Sequence, residues 1–293
     1  MKLALLGTGL LGSEIAIRLA SLAFQVTVWN RTPNKAAPLA AIGIDRADSA
    51  ASAIIAADAT LLLLSDASAI RETLFSSETE PAIRDRTIVQ MGTIAPDESR
   101  AIGNSVACAG GAYLEAPVLG SLPEAREGRL IVMAGGDEQS YQDCLPVFEA
   151  LSESPQRVGE VGQGAALKLA MNQLIAGLTA SFAYSLGLVR REGLDVEQFM
   201  TLLRQSALYA PTFDKKLDKY LSREYGTANF PLKHLLKDVS LFRRVAENMD
   251  LDTAPLVALE AAFLRAMAAG LGNADYSAVY ETLVEGRGPK RGD

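Results

Sequence analysis

Hydrophobic and polar positions follow two alternating spacings in the first half of the chain. Short, β-rich apolar runs are separated by segments whose apolar residues recur every three or four positions. The runs predict strands at Lys2–Leu6, Gln25–Trp29, Ala59–Leu64, Thr87–Met91, Ala112–Val118 and Leu130–Ala134, with helices between them such as Gly9–Ser21 and Asp97–Ala107. This alternation predicts an α/β fold with a Rossmann-type, doubly wound parallel sheet.

The alternation stops near residue 160, and the rest of the chain has helical spacing. Helices are predicted at 163–191, 195–206, 231–248, 254–269 and 275–285. The first of them is about 30 residues long, or about 45 Å at the usual rise per residue. We therefore expect a Rossmann domain over 1–161 and an all-helical domain over 162–293, with the long helix between them.

Composition narrows the choice of partners. The chain has 293 residues, a net charge of −7 and no basic run apart from the brief tail Gly286–Asp293, which we expect to be frayed. Such a balance disfavours nucleic acid as a partner. The apolar stretch Leu174–Val189 falls short of the roughly 20 residues that span a bilayer. Cys108 and Cys144 stand outside any CxxC motif and no signal peptide is visible, which indicates a cytoplasmic protein with reduced thiols.

A GxGxxG motif follows the first predicted strand and opens a helix. Gly7 permits the tight turn, Gly9 lets the backbone approach a pyrophosphate, and Gly12 allows close packing of helix on strand. The free N–H groups of the helix start then face the phosphates. The loop predicted to bind the dinucleotide comprises Gly7, Thr8, Gly9, Leu10, Leu11 and Gly12.

The end of the second predicted strand indicates which dinucleotide is bound. NAD-binding chains carry an acidic residue there, which holds the ribose 2′-hydroxyl. This chain has Asn30, Arg31 and Thr32, with Lys35 soon after. A guanidinium and a hydroxyl bind a 2′-phosphate that a carboxylate would repel. We therefore expect NADP(H) rather than NAD(H).

The sequence lacks the residues that several other kinds of active site require. His234 is the chain's single histidine, and no carboxylate or cysteine cluster surrounds it. This makes a metal site unexpected. No GxSxG elbow is present to support a hydrolase. The proton that accompanies a hydride must then come from another group or from water.

Lys168 is the main candidate for that group. It is flanked by Ala165, Leu167, Leu169 and other small or apolar residues, so we expect it to be buried. Burying an ammonium is costly unless it is paired or gives up its proton, which suggests a function. Asn172 lies four residues later, on the same face of the helix, where its amide can orient the ammonium or bind a substrate.

The glycine loop and three motifs that follow it along the chain resemble the β-hydroxyacid dehydrogenases, relatives of 6-phosphogluconate dehydrogenase. The motifs are EAPVLGS (Glu115–Ser121), GxGxxxKxxxN (Gly162, Gly164, Lys168 and Asn172) and FPLKHLLKDVSLF, which begins at Phe230. The resemblance implies that Lys168 and Asn172 are catalytic and bind substrate. The lysine would exchange a proton with the substrate oxygen while hydride passes between nicotinamide and carbonyl carbon.

The resemblance also implies further contacts. Leu64, Ser65, Thr93 in MGTIAPDES, and Lys237 are expected beside the cofactor. Phe230 and Asp238 are expected at the substrate, with Asp238 anchoring the helix that closes the site.

One motif departs from the family pattern. The family has serine where this chain has Leu119, so its hydroxyl contact to a substrate carboxylate is absent. Backbone N–H groups of Leu119, Gly120 and Ser121 can still bind an anion, and Ser121 can supply a hydroxyl. A more apolar, narrower pocket and a smaller or different substrate are expected.

Within the family, NRT, EAPV-GS and FPLKH look most like the glyoxylate and succinic semialdehyde reductases, which reduce short aldehyde acids with NADPH. The alternatives are 3-hydroxyisobutyrate dehydrogenase, tartronate semialdehyde reductase and, more remotely, a non-catalytic NADP-binding scaffold. Lys168 argues against an imine reductase, which generally lacks it. The apolar helices at 163–191 and 254–269 predict a homodimer or homotetramer.

Overall fold

The computed structural model describes residues 1–226 and 228–284. Its contacts divide the chain into two compact units, Met1–Ala170 and Met171–Asp293. The division falls inside a long helix, and the predicted domain boundary at residue 161 stays a prediction. The tail Gly286–Asp293 and the last residue of the predicted helix 275–285 lie outside the described residues.

The first unit is built on one sheet. Its strands are β1 (Lys2–Leu6), β2 (Gln25–Trp29), β3 (Asp45–Arg46), β4 (Ala59–Leu62), β5 (Thr87–Gln90), β6 (Ala112–Glu115), β7 (Val118–Leu119), β8 (Ile131–Gly135) and β9 (Gln156–Gly159). The order is β3-β2-β1-β4-β5-β6-β8-β7, with β9 also paired to β8. From β3 to β6 all strands are parallel, whereas β8 is antiparallel to β6 and β7. The chain reverses its direction of winding between β1 and β4, the place where open sheets bind ligands.

Helices cover both faces of this sheet. They are α1 (Leu10–Ser21), α2 (Ala37–Ala40), α3 (Ala50–Ala56), α4 (Ala67–Leu74), α5 (Pro96–Cys108), α6 (Leu122–Glu127) and α7 (Glu138–Leu151), with 3-10 turns at Pro33–Lys35 and Glu80–Ile83. Alternate residues of β1 enter separate cores. Leu3 and Leu5 pack with residues of α1 and α7, whereas Ala4 and Leu6 pack with residues of α3 and α5. The predicted doubly wound fold is confirmed.

The second unit is helical, as predicted. Helix α8 (Gln163–Arg191) begins in the first unit and continues into the second, followed by α9 (Val196–Gln205), α10 (Pro211–Ser222), α11 (Leu232–Glu247), α12 (Ala254–Ala268) and α13 (Val279–Val284), with 3-10 turns at Leu271–Asn273 and Tyr276–Ala278. One core surrounds Phe182, which stacks on Phe213 with ring centroids 4.6 Å apart. None of the helices in the described ranges has both the length and the apolar character needed to cross a bilayer.

The structure corrects several predicted elements. The strand predicted at Ala112–Val118 is two strands, because Pro117 has no N–H to continue the ladder. Strand β4 ends at Leu62, before the predicted Leu64. Helix α10 was not predicted because it is rich in charge, although Phe213, Leu217 and Tyr220 bury one face of it.

The long helix differs from its prediction along one side. The apolar residues around Lys168 predicted burial on every side of the helix there. Leu174 and Leu188 are instead 60% and 63% exposed in the single chain. Lys168 and Leu169 are buried as predicted, but Leu167 is 40% exposed and lies with Leu174 and Leu188 on an open face of α8.

Candidate active site

The turn between β1 and α1 has the geometry expected of its glycines. Gly7 has a φ of 109°, and an added Cβ would lie 2.4 Å from the Leu63 carbonyl oxygen. A Cβ on Gly12 would lie 2.0 Å from the carbonyl oxygen of Gly7, whereas one on Gly9 would meet no atom within 4 Å. Close packing therefore requires Gly7 and Gly12, while the backbone at Gly9 is open to a ligand.

The start of α1 offers hydrogen-bond donors to that ligand. Its N-cap is Gly9, which makes no side-chain capping bond, so the first N–H groups at Leu10 and Leu11 lack one. The hydroxyl of Thr8 is buried and has no hydrogen-bond partner within the described residues. An open glycine, an uncapped helix start and an orphaned hydroxyl together fit a pyrophosphate.

The residues at the end of β2 form a polar turn beside this loop. The Asn30 side chain accepts a hydrogen bond from the Thr8 N–H at 3.2 Å and donates one to the Thr32 carbonyl at 3.0 Å. Arg31 is exposed and forms a 3.2 Å ion pair with Glu72, and Lys35 is exposed in the following turn. An exposed pair contributes about 0–1 kcal/mol, so a phosphate can compete with Glu72 for Arg31.

Three predicted cofactor contacts lie at the same sheet edge. Leu64 and Ser65 follow β4, and Thr93 follows β5. These strands are adjacent and parallel to each other and to β1, so their carboxyl ends meet at the edge that carries Gly7. The Ser65 hydroxyl donates to Asp66 at 2.9 Å.

The loop predicted to bind a substrate carboxylate begins in β7. Leu119 is half-buried, and Gly120 has a φ of 131°. The N–H and hydroxyl of Ser121 both donate to Oε2 of Glu124, at 2.8 and 2.9 Å, and so cap α6. The contact predicted between Ser121 and an anion stays a prediction, and it requires Glu124 to release these donors.

Lys168 lies in the second turn of α8 and is 8% exposed. Asn172 follows one turn later on the same helix and is buried as well. The two residues thus lie on the same face of one helix.

The buried contacts of Glu115, a residue of the EAPVLGS motif, were not predicted from the sequence. Glu115 ends β6, is buried, and accepts hydrogen bonds from the N–H groups of Gly162 at 2.8 Å and Ala165 at 3.1 Å. The Ser99 hydroxyl also donates to it. Burial raises the pKa of the Glu115 carboxyl, while these hydrogen bonds oppose the rise. A carboxylate inside the apolar run YLEAPVL was the signal available.

In the second unit, Asp238 contacts two other predicted site residues, Asn172 and Lys237. Its Oδ2 accepts a 2.6 Å hydrogen bond from the Asn172 side chain, and its Oδ1 lies 3.0 Å from the Lys237 ammonium. The side-chain amide oxygen of Asn172, Oδ1, is buried and accepts no hydrogen bond within the described residues. Phe230 is half-buried, with its ring edge-on to Tyr276.

His234 lies half-buried on α11. Burial and the ammonium groups of Lys233 and Lys237 lower its pKa, against the effect of Asp238. Among residues 1–226 and 228–284, no group of three or more His, Cys, Asp or Glu side chains is placed to hold a metal ion.

Known families match both halves of the chain. Residues 2–162 match the family described as the NAD binding domain of 6-phosphogluconate dehydrogenase. Residues 162–283 match the family described as NAD-binding of NADP-dependent 3-hydroxyisobutyrate dehydrogenase. The two matches together span nearly the whole chain in one order.

Individual relatives agree with these matches. The chain is 31% identical to glyoxylate/succinic semialdehyde reductase 1 of Arabidopsis thaliana, over 97% of this chain and 98% of that protein. It is 33% identical to the chloroplastic reductase 2 of the same plant, over 97% of this chain and 79% of that protein. A solved 3-hydroxyisobutyrate dehydrogenase from Salmonella typhimurium shares the fold with a TM-score of 0.85 at 23% identity, covering 96% of this chain and 99% of that one.

Proposed function

Because the chain belongs to the β-hydroxyacid dehydrogenase family, we propose that it reduces short aldehyde or 2-oxo acids with NADPH. Members of this family are oxidoreductases that act on CH–OH groups with a nicotinamide cofactor. Glyoxylate and succinic semialdehyde, named for the two plant reductases, are the substrates to test first. The observation that best supports this proposal is the burial of Lys168. Asn172 follows one helical turn later and donates a hydrogen bond to Asp238.

In the proposed reaction, NADPH held by the glycine loop and the turn after β2 would supply a hydride to the carbonyl carbon. Lys168 gives a proton to the carbonyl oxygen, so the aldehyde becomes a primary alcohol. Asp238 accepts from the Asn172 side-chain amide and leaves its oxygen, Oδ1, to accept from the substrate hydroxyl.

The preference for NADPH rests on the turn after β2. Arg31 would pair with the 2′-phosphate in place of Glu72, with Thr32 and Lys35 beside it. No carboxylate stands at Asn30 to hold a ribose 2′-hydroxyl. Asn30 instead fixes the turn by bonding to Thr8 and Thr32.

A second candidate is the oxidation of 3-hydroxyisobutyrate or the reduction of tartronate semialdehyde. Leu119 favours it, since an apolar side chain in place of the family serine alters the end of the pocket that would receive the carboxylate. The fold-level likeness to a 3-hydroxyisobutyrate dehydrogenase is consistent with this choice.

The test follows NADPH oxidation with glyoxylate, succinic semialdehyde and tartronate semialdehyde, and NADP⁺ reduction with 3-hydroxyisobutyrate. Lys168→Ala is expected to lower kcat by about 10²- to 10⁴-fold, the usual contribution of a general acid. Lys215→Ala, an exposed lysine of α10, is the matched control and should keep wild-type activity. Absence of turnover on the whole panel would favour a non-catalytic NADP-binding scaffold. Activity that survives Lys168→Ala would remove the lysine from the mechanism.

A further inference from the structure

We propose that Glu115 is a positioning residue of the same reaction, which fixes the start of α8 and thereby the placement of Lys168. The inference rests on the proposed function of Lys168. All of the contacts that carry it lie within the first compact unit, Met1–Ala170.

Glu115 is bound to the first turn of α8 from within the sheet. Its Oε1 accepts from the N–H groups of Gly162 and Ala165, two of the groups that a helix start leaves without partners inside the helix. A carboxylate at this end also gains from the helix dipole. The same side chain is 1% exposed, so water does not compete for these bonds.

The backbone around this carboxylate is closely packed. A Cβ on Gly164 would lie 2.5 Å from the carbonyl oxygen of Met133, and a Cβ on Gly135 would lie 2.5 Å from Oε1 of Glu115. Gly135 is also the register partner of Glu115 across β6 and β8. The start of α8 therefore packs on β8, and Glu115, opposite Gly135 on the adjacent strand β6, hydrogen-bonds to it.

A buried network holds Glu115 itself. Its Oε2 accepts from the Ser99 hydroxyl of α5, and the Ser99 oxygen lies 2.9 Å from the hydroxyl of Tyr113. Both oxygens of the carboxylate are thus engaged, one by α8 and the other by α5. Because both oxygens of Glu115 are held, its side chain can fix the position of the start of α8.

Lys168 lies three residues beyond Ala165 on the same helix, which is about one turn. Any tilt or fraying of the first turn would move its side chain relative to the sheet. Glu115 also directly precedes the segment that leads through β7 to Leu119 and Gly120. The Glu115 carboxylate therefore binds the start of the helix that carries Lys168, the predicted acid. It also precedes the loop at Leu119 and Gly120 that is predicted to bind the substrate.

The test compares Glu115→Ala with Glu115→Gln. The alanine variant removes both acceptors, whereas the glutamine variant keeps an oxygen for Gly162 and Ala165 and gives Ser99 a donor in place of an acceptor. Glu115→Ala is expected to lower kcat by at least about tenfold, with the Kd of NADPH within about twofold of wild type. Glu115→Gln is expected to restore most of kcat. Glu115→Asp, one methylene shorter, gives the same comparison should the alanine variant not fold.

Hydrogen exchange gives a second readout that does not depend on activity. The peptide that covers residues 162–170 should exchange at least about tenfold faster in Glu115→Ala than in wild type, and near the wild-type rate in Glu115→Gln. Ser49→Ala is the control for lost stability alone, because it removes the N-cap of α3 in the same unit. Ser49→Ala should lower Tm without changing the kcat measured at saturating NADPH.

The outcomes separate the two proposals. Unchanged exchange in Glu115→Ala, or faster exchange with unchanged kcat, would overturn the positioning function. An inactive wild-type protein would overturn the proposed reductase activity, and the exchange data would still decide whether Glu115 fixes the helix start.

Discussion

The side-chain amide of Asn172 donates a 2.6 Å hydrogen bond to Oδ2 of Asp238, and both residues are buried. Asn172 lies on α8 and Asp238 on α11, 66 residues apart in sequence. The bond ties two helices of the second unit together and fixes which atom of the asparagine is left to accept. Structure and proposed chemistry thus depend on the same contact.

A double-mutant cycle with Asn172→Ala and Asp238→Ala measures this contact. We expect a coupling free energy of about 1.5–3 kcal/mol in urea denaturation, the usual contribution of a hydrogen bond to a charged group. Because Asp238 also lies beside Lys237, the cycle isolates the part due to Asn172. Asn104→Ala, at an exposed position of α5, serves as the control and should leave the free energy of unfolding within about 0.5 kcal/mol of wild type. Additive effects of the two buried substitutions would show that the bond contributes nothing.

Cofactor preference is tested at Arg31. Arg31→Ala should raise the KM for NADPH by about 10- to 100-fold, because it removes a charge-assisted contact to the 2′-phosphate. The KM for NADH, which has no such phosphate, should change little. Glu72→Gln is the matched control, since it removes the ion-pair partner and leaves the guanidinium, so it should keep or lower the KM for NADPH. Equal effects of Arg31→Ala on both cofactors would contradict the assignment.

The parts of the site that could be predicted are those specified by neighbours in sequence. A side chain on Gly12 would meet the carbonyl oxygen of Gly7 in the same turn, so the turn itself requires glycine there. Lys168 is buried as its apolar neighbours predicted, although Leu167 beside it is 40% exposed. In both cases spacing along the chain contains the information.

Contacts between distant segments could not be predicted in the same way. Glu115 meets Gly162 and Ala165 across 47 and 50 residues, and the contact depends on the register of β6 with β8. Helix α10 escaped prediction for a different reason. Its many charged residues obscure the helical spacing of its apolar residues. In the structure, Phe213 of this helix stacks on Phe182.

Substrate choice is tested at Leu119, the position that departs from the family pattern. Leu119→Ser should change the ratio of kcat/KM for succinic semialdehyde and glyoxylate by about tenfold in favour of the longer acid, because it enlarges the pocket and adds a hydroxyl. Ile131→Ser is the control, since Ile131 is the register partner of Leu119 on β8. If both variants change the ratio equally, the effect comes from strand pairing rather than from the pocket.

Oligomeric state is tested on the exposed face of α8. Leu174 and Leu188 are separated by two heptads, so they lie on one face, and Tyr184 on the same helix is also exposed. We expect a dimer or tetramer in light scattering. Substituting both leucines by lysine should raise the subunit dissociation constant at least about tenfold. Leu208→Lys, at another exposed leucine, should have no effect. A wild-type protein that is monomeric at micromolar concentration would refute the expectation.

The pH dependence of stability reports on Glu115. Burial raises the pKa of its carboxyl in the folded protein above the ordinary value of 4.5. As pH rises from that value, the unfolded chain loses this proton first and the folded chain retains it. Stability then falls with rising pH, by at most about 1.4 kcal/mol per pH unit, until pH passes the folded-state pKa.

Glu115→Gln has no such proton, so the free energy of unfolding of wild type minus that of the variant should decrease across this window. Urea denaturation of both proteins at a series of pH values measures the difference. The hydrogen bond from Ser99 lowers the pKa of Glu115, so Ser99→Ala should extend the decrease to higher pH. A difference that increases with pH would mean that the helix start and Ser99 hold the carboxylate strongly enough to outweigh its burial.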